Sequence, residues 1–120
     1  MLRLYFMRHG ETVWNTERRY QGMTDIELSE EGLRQAECAA KRFKNIRIDK
    51  IYASPLKRAM KTAEKIAAEK GLEIISEDDF REIHFGEWEG KTVPELTEKY
   101  GESYTNFIRE PHKYGFPGEG

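Results

Sequence analysis

Arg8 and His9 come directly after the apolar run LRLYFM, and Arg58 lies within the run SPLKRAMKTA. Arginine offers forked N–H groups that match the oxygens of a phosphoryl group. A neutral imidazole beside two such cations can attack phosphorus, while the guanidiniums stabilise charge on the transferring oxygens. Glu82, within FREIHFGEWEG, would give the leaving alkoxide its proton, provided that burial disfavours its charged form. These four side chains predict phosphoryl-transfer chemistry if the fold brings them together.

Each of these residues also has a purely structural interpretation. Arg58 stands between lysines and would be a solvated residue of a helix face, and Glu82 would be a solvated loop acid. Glu87 and Glu89 are expected to be solvated loop acids, and Trp88 between them is expected to pack rather than bind. The positions of the helices and strands must decide between the two interpretations.

Strand and helix signals alternate along the chain. Short apolar runs predict strands at residues 2–7, 50–53 and 72–75. Helix-start signals are the capping residue Ser29, the pair Ser54-Pro55 and the capping box at residues 92–95, and the stop signals are Gly71 and Gly101. This order predicts one α/β domain over residues 1–120, with three α/β/α layers and a largely parallel sheet.

In such sheets, ligands bind beyond the carboxyl ends of the strands. Arg8 and His9 follow the first predicted strand, and residues 54–58 follow the second. Arg58 would lie in the first turn of a helix, where free N–H groups also favour an anion. The predicted topology therefore directs both arginines and the imidazole toward one crevice.

The overall composition narrows the classes of partner. Lys and Arg number 20 and Asp and Glu number 22, giving a formal net charge of −2. This balance offers no support for binding nucleic acid or an anionic membrane surface. The single cysteine, Cys38, forms no internal disulfide, and neither a signal peptide nor a membrane-length apolar run is visible. We therefore expect a cytoplasmic protein.

Four motifs in order carry a resemblance to a known family. They are RHGETVWN at 8–15, RYQG at 19–22, SPLKRAMKTA at 54–63 and FREIHFGEWEG at 80–90. Together they resemble the phosphoglycerate-mutase-like histidine phosphatase superfamily, from residue 4 to about residue 100. RHG alone would be a weak signal, whereas four ordered motifs are specific.

The resemblance implies a role for each matching residue. His9 would become phosphohistidine, and Glu82 would donate a proton and later act on water. The residues that would hold the phosphoryl group or line the substrate side of the pocket are Arg8, Asn15, Gln21, Gly22 and Arg58. The family's phosphatases need no metal, so the resemblance implies no cofactor.

Mutases of the group carry an arginine directly after the acid, where this chain has Ile83. We therefore expect a phosphatase that releases inorganic phosphate from a small phosphate ester. The stretch REIHFGEWEGKT is similar to α-ribazole phosphatases of cobalamin synthesis and to broad-specificity sugar-phosphate phosphatases. The alternatives are a cofactor-dependent phosphoglycerate mutase and a non-catalytic phosphate-binding module.

The second of these alternatives arises from a missing motif. Family members carry another phosphate-pocket histidine in an SHGG-like strand end, which would fall beyond residue 120. We therefore expect a C-terminally truncated domain that ends in the glycine-rich run GFPGEG and has an exposed sheet edge. Marginal stability or self-association into a homo-oligomer would follow.

Overall fold

The computed structural model describes residues 1–115, so most of the GFPGEG run lies outside the described residues. Helices and a small sheet alternate along that range. In chain order they are α1 (Val13–Thr16), α2 (Glu30–Phe43), β1 (Ile51–Ala53), α3 (Lys57–Lys70), β2 (Ile74–Ser76), 3₁₀ turns at Asp78–Phe80 and Gly86–Trp88, α4 (Val93–Tyr100) and α5 (Glu102–Arg109). No helix in the described part is both long and apolar enough to cross a membrane.

The predicted α/β class is confirmed by a parallel pair of strands joined through a helix. Ile51 of β1 lies opposite Ile74 of β2, and Ala53 lies opposite Ser76. Helix α3 contacts both strands and packs along α2. Strand β2 begins later than predicted because the N–H of Leu72 still bonds to a carbonyl of α3, after the left-handed turn at Gly71.

The prediction of a first strand at residues 2–7 is wrong for this structure. This segment belongs to no strand, and Leu2, Leu4 and Phe6 are 84%, 65% and 91% exposed. An apolar run becomes a strand only if a neighbour pairs with its backbone, and within residues 1–115 β1 and β2 pair with each other alone. Arg8 and His9 therefore do not follow a paired strand and must be positioned by other contacts.

The capping residues in the sequence predict most of these helix ends correctly. Ser29 Oγ accepts the N–H of Gly32 at the start of α2, and the capping box at residues 92–95 opens α4. The start of α3 differs from the prediction: the helix begins at Lys57, and Ser54 Oγ instead accepts the N–H of Leu56 within the preceding turn. Helix α5 was not predicted.

A largely aromatic core surrounds Trp88. Trp88, Leu96 and Tyr104 are buried together, with Trp88 fully enclosed. The half-buried rings packed against them belong to Tyr20, Phe85, Tyr100 and Phe107. The packing interpretation of Trp88 is thus confirmed, and this core anchors the segment that carries the acidic residues at 82–89.

Candidate active site

The loop that carries His9 is fastened to α2 and α3 through its backbone. The N–H of Gly10 donates to Thr62 Oγ1 of α3 at 2.9 Å, and the N–H of Glu11 donates to Gln35 Oε1 of α2 at 2.9 Å. Gly10 and Gly32 also approach so closely that a Cβ on either would overlap backbone atoms of the other segment. Two helices therefore replace the predicted first strand in holding His9.

The His9 ring has a defined tautomer in this structure. Its Nδ1 lies 2.6 Å from the carbonyl oxygen of Gly10, and a carbonyl only accepts hydrogen bonds. Nδ1 therefore carries the proton, and Nε2 of the neutral ring keeps its lone pair. Burial lowers the pKa of His9, and the positive charges of Arg58 and Arg8 lower it further, against opposing effects of the Gly10 hydrogen bond and Glu82. The ring is thus neutral near pH 7, as a nucleophile requires.

Arg58 is buried, so the solvated interpretation of this residue is wrong. It is 3% exposed, and its guanidinium donates to the carbonyls of Gly22 at 2.6 Å and Thr24 at 2.8 Å. Burial lowers its pKa, while the carboxylates of Glu82, Asp25 and Glu89 act in the opposite direction. Because these bonds use two of its five N–H groups, the buried cation retains donors for an anion.

An open cleft of about 260 Å³ lies beside the His9 ring. Its lining residues are Arg8, His9, Glu11, Asn15 and Gln35. The Asn15 Oδ1 atom accepts the N–H of Thr12 at 2.9 Å in the capping box of α1, so its NH₂ group is the part left to donate toward a ligand. Three predicted site residues, Arg8, His9 and Asn15, therefore share one cavity.

Arg58 and Glu82 are not among the side chains that line this cleft, although both charges act on the pKa of His9. Glu82 is exposed, and its Oε1 accepts the N–H of Ile83 at 2.9 Å. The expected burial of Glu82 is therefore not found. The next residue, Ile83, is exposed as well, at 53%.

Gln21 and Gly22 do not line the cleft. Gln21 is buried, and its Oε1 accepts the hydroxyl of Thr12 at 2.7 Å. Gly22 has φ +55°, and a Cβ there would lie 2.9 Å from the carbonyl oxygen of Ile83. Gln21 thus contacts the residue that caps α1, Gly22 packs against the backbone of Ile83, and their predicted contact with substrate stays a prediction.

Three structurally important residues were missed by reasoning from sequence. Thr62 accepts from Gly10 and donates to the Arg58 carbonyl at 2.7 Å, while Thr12 is the fully buried N-cap residue of α1. Glu89 was expected to be solvated, but its side chain is only 9% exposed and its Oε1 accepts both the N–H and the hydroxyl of Thr24, at 2.7 and 2.6 Å. These contacts join residues far apart in sequence, which no local pattern signals.

Among the described residues, no group of three or more His, Cys, Asp or Glu side chains could hold a metal ion. The cleft instead offers the imidazole of His9 and the guanidinium of Arg8, with the charges of Arg58 and Glu82 close enough to act on His9. Those are groups that bind an anion and move a proton.

Residues 4–120 match the profile of the Histidine phosphatase superfamily (branch 1). Phosphoserine phosphatase 1 of Hydrogenobacter thermophilus is 46% identical over 118 residues, which is 98% of this chain and 56% of that protein. The crystal structure of Entamoeba histolytica phosphoserine phosphatase with 3-phosphoglyceric acid is 42% identical, has a TM-score of 0.78, and is matched over 90% of this chain and 52% of its own. The α-ribazole phosphatase of Shigella flexneri is 25% identical, with a TM-score of 0.83 over 92% of this chain and 55% of that one.

The chain thus spans about half the length of the curated relatives it matches. The match nevertheless covers almost all of this chain, and it includes the four ordered motifs that surround His9, Arg58 and Glu82. The chain belongs to the histidine phosphatase superfamily.

Proposed function

We propose that this chain carries the nucleophile and phosphoryl-binding residues of a phosphatase that hydrolyses small phosphate monoesters through a phosphohistidine on His9. The observation that carries the proposal is the hydrogen bond from His9 Nδ1–H to the Gly10 carbonyl. It directs the lone pair to Nε2, in a ring that burial and two guanidiniums keep neutral.

In the first step, Nε2 attacks phosphorus, and the bond between phosphorus and the ester oxygen breaks. Arg8 and Arg58 stabilise charge on the phosphoryl oxygens. Glu82, exposed in this structure, supplies the proton for the departing alkoxide only when the bound ester encloses its carboxyl group. In the second step, Glu82 takes a proton from water, whose oxygen attacks the phosphohistidine and releases inorganic phosphate. The Gly10 carbonyl stabilises the imidazolium character that His9 gains when it carries the phosphoryl group.

The phosphatase reaction is favoured over a mutase reaction by Ile83. The mutases that this chain resembles carry an arginine at that position, whereas the side chain of isoleucine offers no hydrogen-bond donor to a substrate carboxylate. Water is then the acceptor of the phosphoryl group.

The similarity of REIHFGEWEGKT to α-ribazole phosphatases implies α-ribazole 5′-phosphate, an ester of cobalamin synthesis, as one substrate. The higher identity to phosphoserine phosphatases, 46% and 42% against 25% for the α-ribazole phosphatase, supports phosphoserine as the first ester to test. We propose phosphoserine as the first candidate and α-ribazole 5′-phosphate as the second. A cytoplasmic location and a homo-oligomeric state stay predictions.

Covalent trapping tests the role of His9. Wild-type chain, His9→Ala and the control His112→Ala, which alters an exposed histidine, are incubated with an aryl phosphate and quenched in alkali. We expect an alkali-stable, acid-labile phosphoryl group on wild type and the control, and none on His9→Ala. Equal labelling of all three proteins would overturn the proposal, and phosphate binding without labelling of any would favour the non-catalytic module.

The role of Glu82 is tested through the leaving group. An aryl oxide leaves without a proton, whereas an alkyl oxide needs one. Glu82→Gln should therefore slow hydrolysis of phosphoserine far more than hydrolysis of an aryl phosphate. Equal loss on both substrates contradicts the assignment of Glu82 as the proton donor.

A further inference from the structure

The segment between Gly22 and Asp25 is held from two sides. From α3, Arg58 donates to the carbonyls of Gly22 and Thr24, and the N–H of Lys57 donates to the Asp25 carboxylate at 2.7 Å. From the segment after the second 3₁₀ turn, Glu89 Oε1 accepts the N–H and hydroxyl of Thr24. We call residues 22–25 the arginine loop, because their carbonyls set where the Arg58 guanidinium points.

The carboxylate of Glu89 is buried and held by hydrogen bonds on the arginine loop. Its side chain is 9% exposed, and a desolvated carboxylate is unfavourable unless its oxygens are hydrogen-bonded. Oε1 receives two short bonds from Thr24, and Oε2 lies 3.2 Å from His84 Nε2. Glu87, two residues earlier, is exposed, and its carboxylate accepts the Tyr100 hydroxyl at 3.1 Å, away from the arginine loop.

We propose that Glu89 is a positioning residue that fixes the arginine loop, and through its carbonyls the Arg58 guanidinium, for phosphoryl binding. This inference rests on the proposed function, which requires Arg58 to face the transferring group. Glu89 touches neither His9 nor the cleft, so it acts through Thr24 and the loop carbonyls.

The position of the Arg58 guanidinium depends on the geometry of the arginine loop and not on charge alone. The two guanidinium bonds are directional and depend on where Gly22 and Thr24 place their carbonyls. A loop free to move would let Arg58 follow its carbonyls away from the anion, and small displacements of a binding group lower the rate strongly. A Cβ added to Gly22 would lie 2.9 Å from Glu89 Cδ, so the arginine loop leaves no room for a side chain beside this carboxylate.

Two variants of Glu89 separate the effect of side-chain length from the effect of charge. Glu89→Gln removes the charge but keeps an acceptor oxygen at the same distance from Thr24, whereas Glu89→Asp keeps the charge but withdraws both oxygens by one methylene. Glu87→Asp is the matched control. For each protein we would measure the affinity for inorganic phosphate by calorimetry, kcat and KM for an aryl phosphate, and amide hydrogen exchange of the arginine loop.

We expect Glu89→Asp to bind phosphate roughly tenfold more weakly, as the loss of one directional hydrogen bond implies, and to exchange the amide of Thr24 faster. Its KM should rise more than its kcat falls. Glu89→Gln should stay close to wild type, and Glu87→Asp should match wild type in all three measurements.

Two results overturn the inference: Glu89→Asp behaving like the Glu87→Asp control, or Glu89→Gln losing as much phosphate affinity as Glu89→Asp. If wild type itself neither binds phosphate nor turns over ester, the proposed function fails instead. The exchange measurement then still decides the role of Glu89, because faster exchange in Glu89→Asp alone supports loop positioning and unchanged exchange refutes it.

Discussion

Thr62 joins the nucleophile loop to the helix that carries Arg58, and replacing it with valine isolates that link. The side chain is 3% exposed, and its hydroxyl accepts from the Gly10 N–H and donates to the Arg58 carbonyl. Valine keeps the shape of threonine, so the substitution leaves no large cavity. It does leave the buried Gly10 N–H without an acceptor.

An unsatisfied buried donor costs about 1–3 kcal/mol, and this cost dominates the expected effect. The bond to the Arg58 carbonyl contributes little, because that carbonyl also accepts the backbone N–H of Thr62 within α3. We therefore expect Thr62→Val to lower the free energy of unfolding by roughly 1–3 kcal/mol, measured by urea denaturation. The labelling of His9 should slow as well, since Gly10 fixes the adjoining residue.

Thr97→Val is the matched control. Its hydroxyl also donates to the carbonyl four residues earlier, that of Val93 at 2.9 Å, but it is exposed. We expect it to change the free energy of unfolding by no more than about 0.5 kcal/mol. If the two variants lose the same stability, the Gly10 bond is not what makes Thr62 important, and the reasoning is refuted.

Three further predictions concern protonation, backbone contact and association. Because the pKa of His9 is lowered from its ordinary 6.5, the unfolded chain binds the proton first as pH falls. The free energy of unfolding and the rate of His9 labelling should therefore decline only below about pH 6.5. An NMR titration of His9 with a midpoint at or above 6.5 would contradict this. Gly32→Ala places a methyl group against the Glu11 carbonyl and should cost roughly 1–3 kcal/mol or more in chemical denaturation, whereas Gly115→Ala, whose Cβ meets nothing, should cost almost nothing. Leu4→Lys should reduce any concentration-dependent association seen by analytical ultracentrifugation, since Leu4 belongs to an exposed apolar run, and an unchanged sedimentation profile would exclude that run as the contact.

The features that sequence predicted well are those determined by neighbouring residues. Ser29, Gly71 and the capping box at residues 92–95 act on backbone groups a few positions away, so their effect can be read from the local order of residues. The run at 2–7 has equally clear local chemistry, but a strand also needs a partner from elsewhere in the chain. Local propensity alone could not supply that information.

The residues of the candidate site also differ in how far they can be predicted from sequence. Reasoning from residue type identified His9 and Arg58, because few side chains can attack phosphorus or bind its oxygens. The same reasoning did not predict the contacts of Thr62 and Glu89, because hydroxyl and carboxylate groups occur throughout the surface of any protein. Their importance comes from contacts across 52 and 65 residues of sequence, which only the folded chain reveals.

The contact between Gly10 and Gly32 is made by peptide groups, with no side chain between them. The spacing between the nucleophile and α2 is therefore fixed by bond geometry and cannot be tuned by exchanging one residue for a larger or smaller one. Mutations can accumulate on the outer surface of α2 without displacing the imidazole, provided that both positions continue to lack a Cβ. Any redesign of this scaffold for another phosphate ester would have to leave that pair untouched and alter the cleft walls instead.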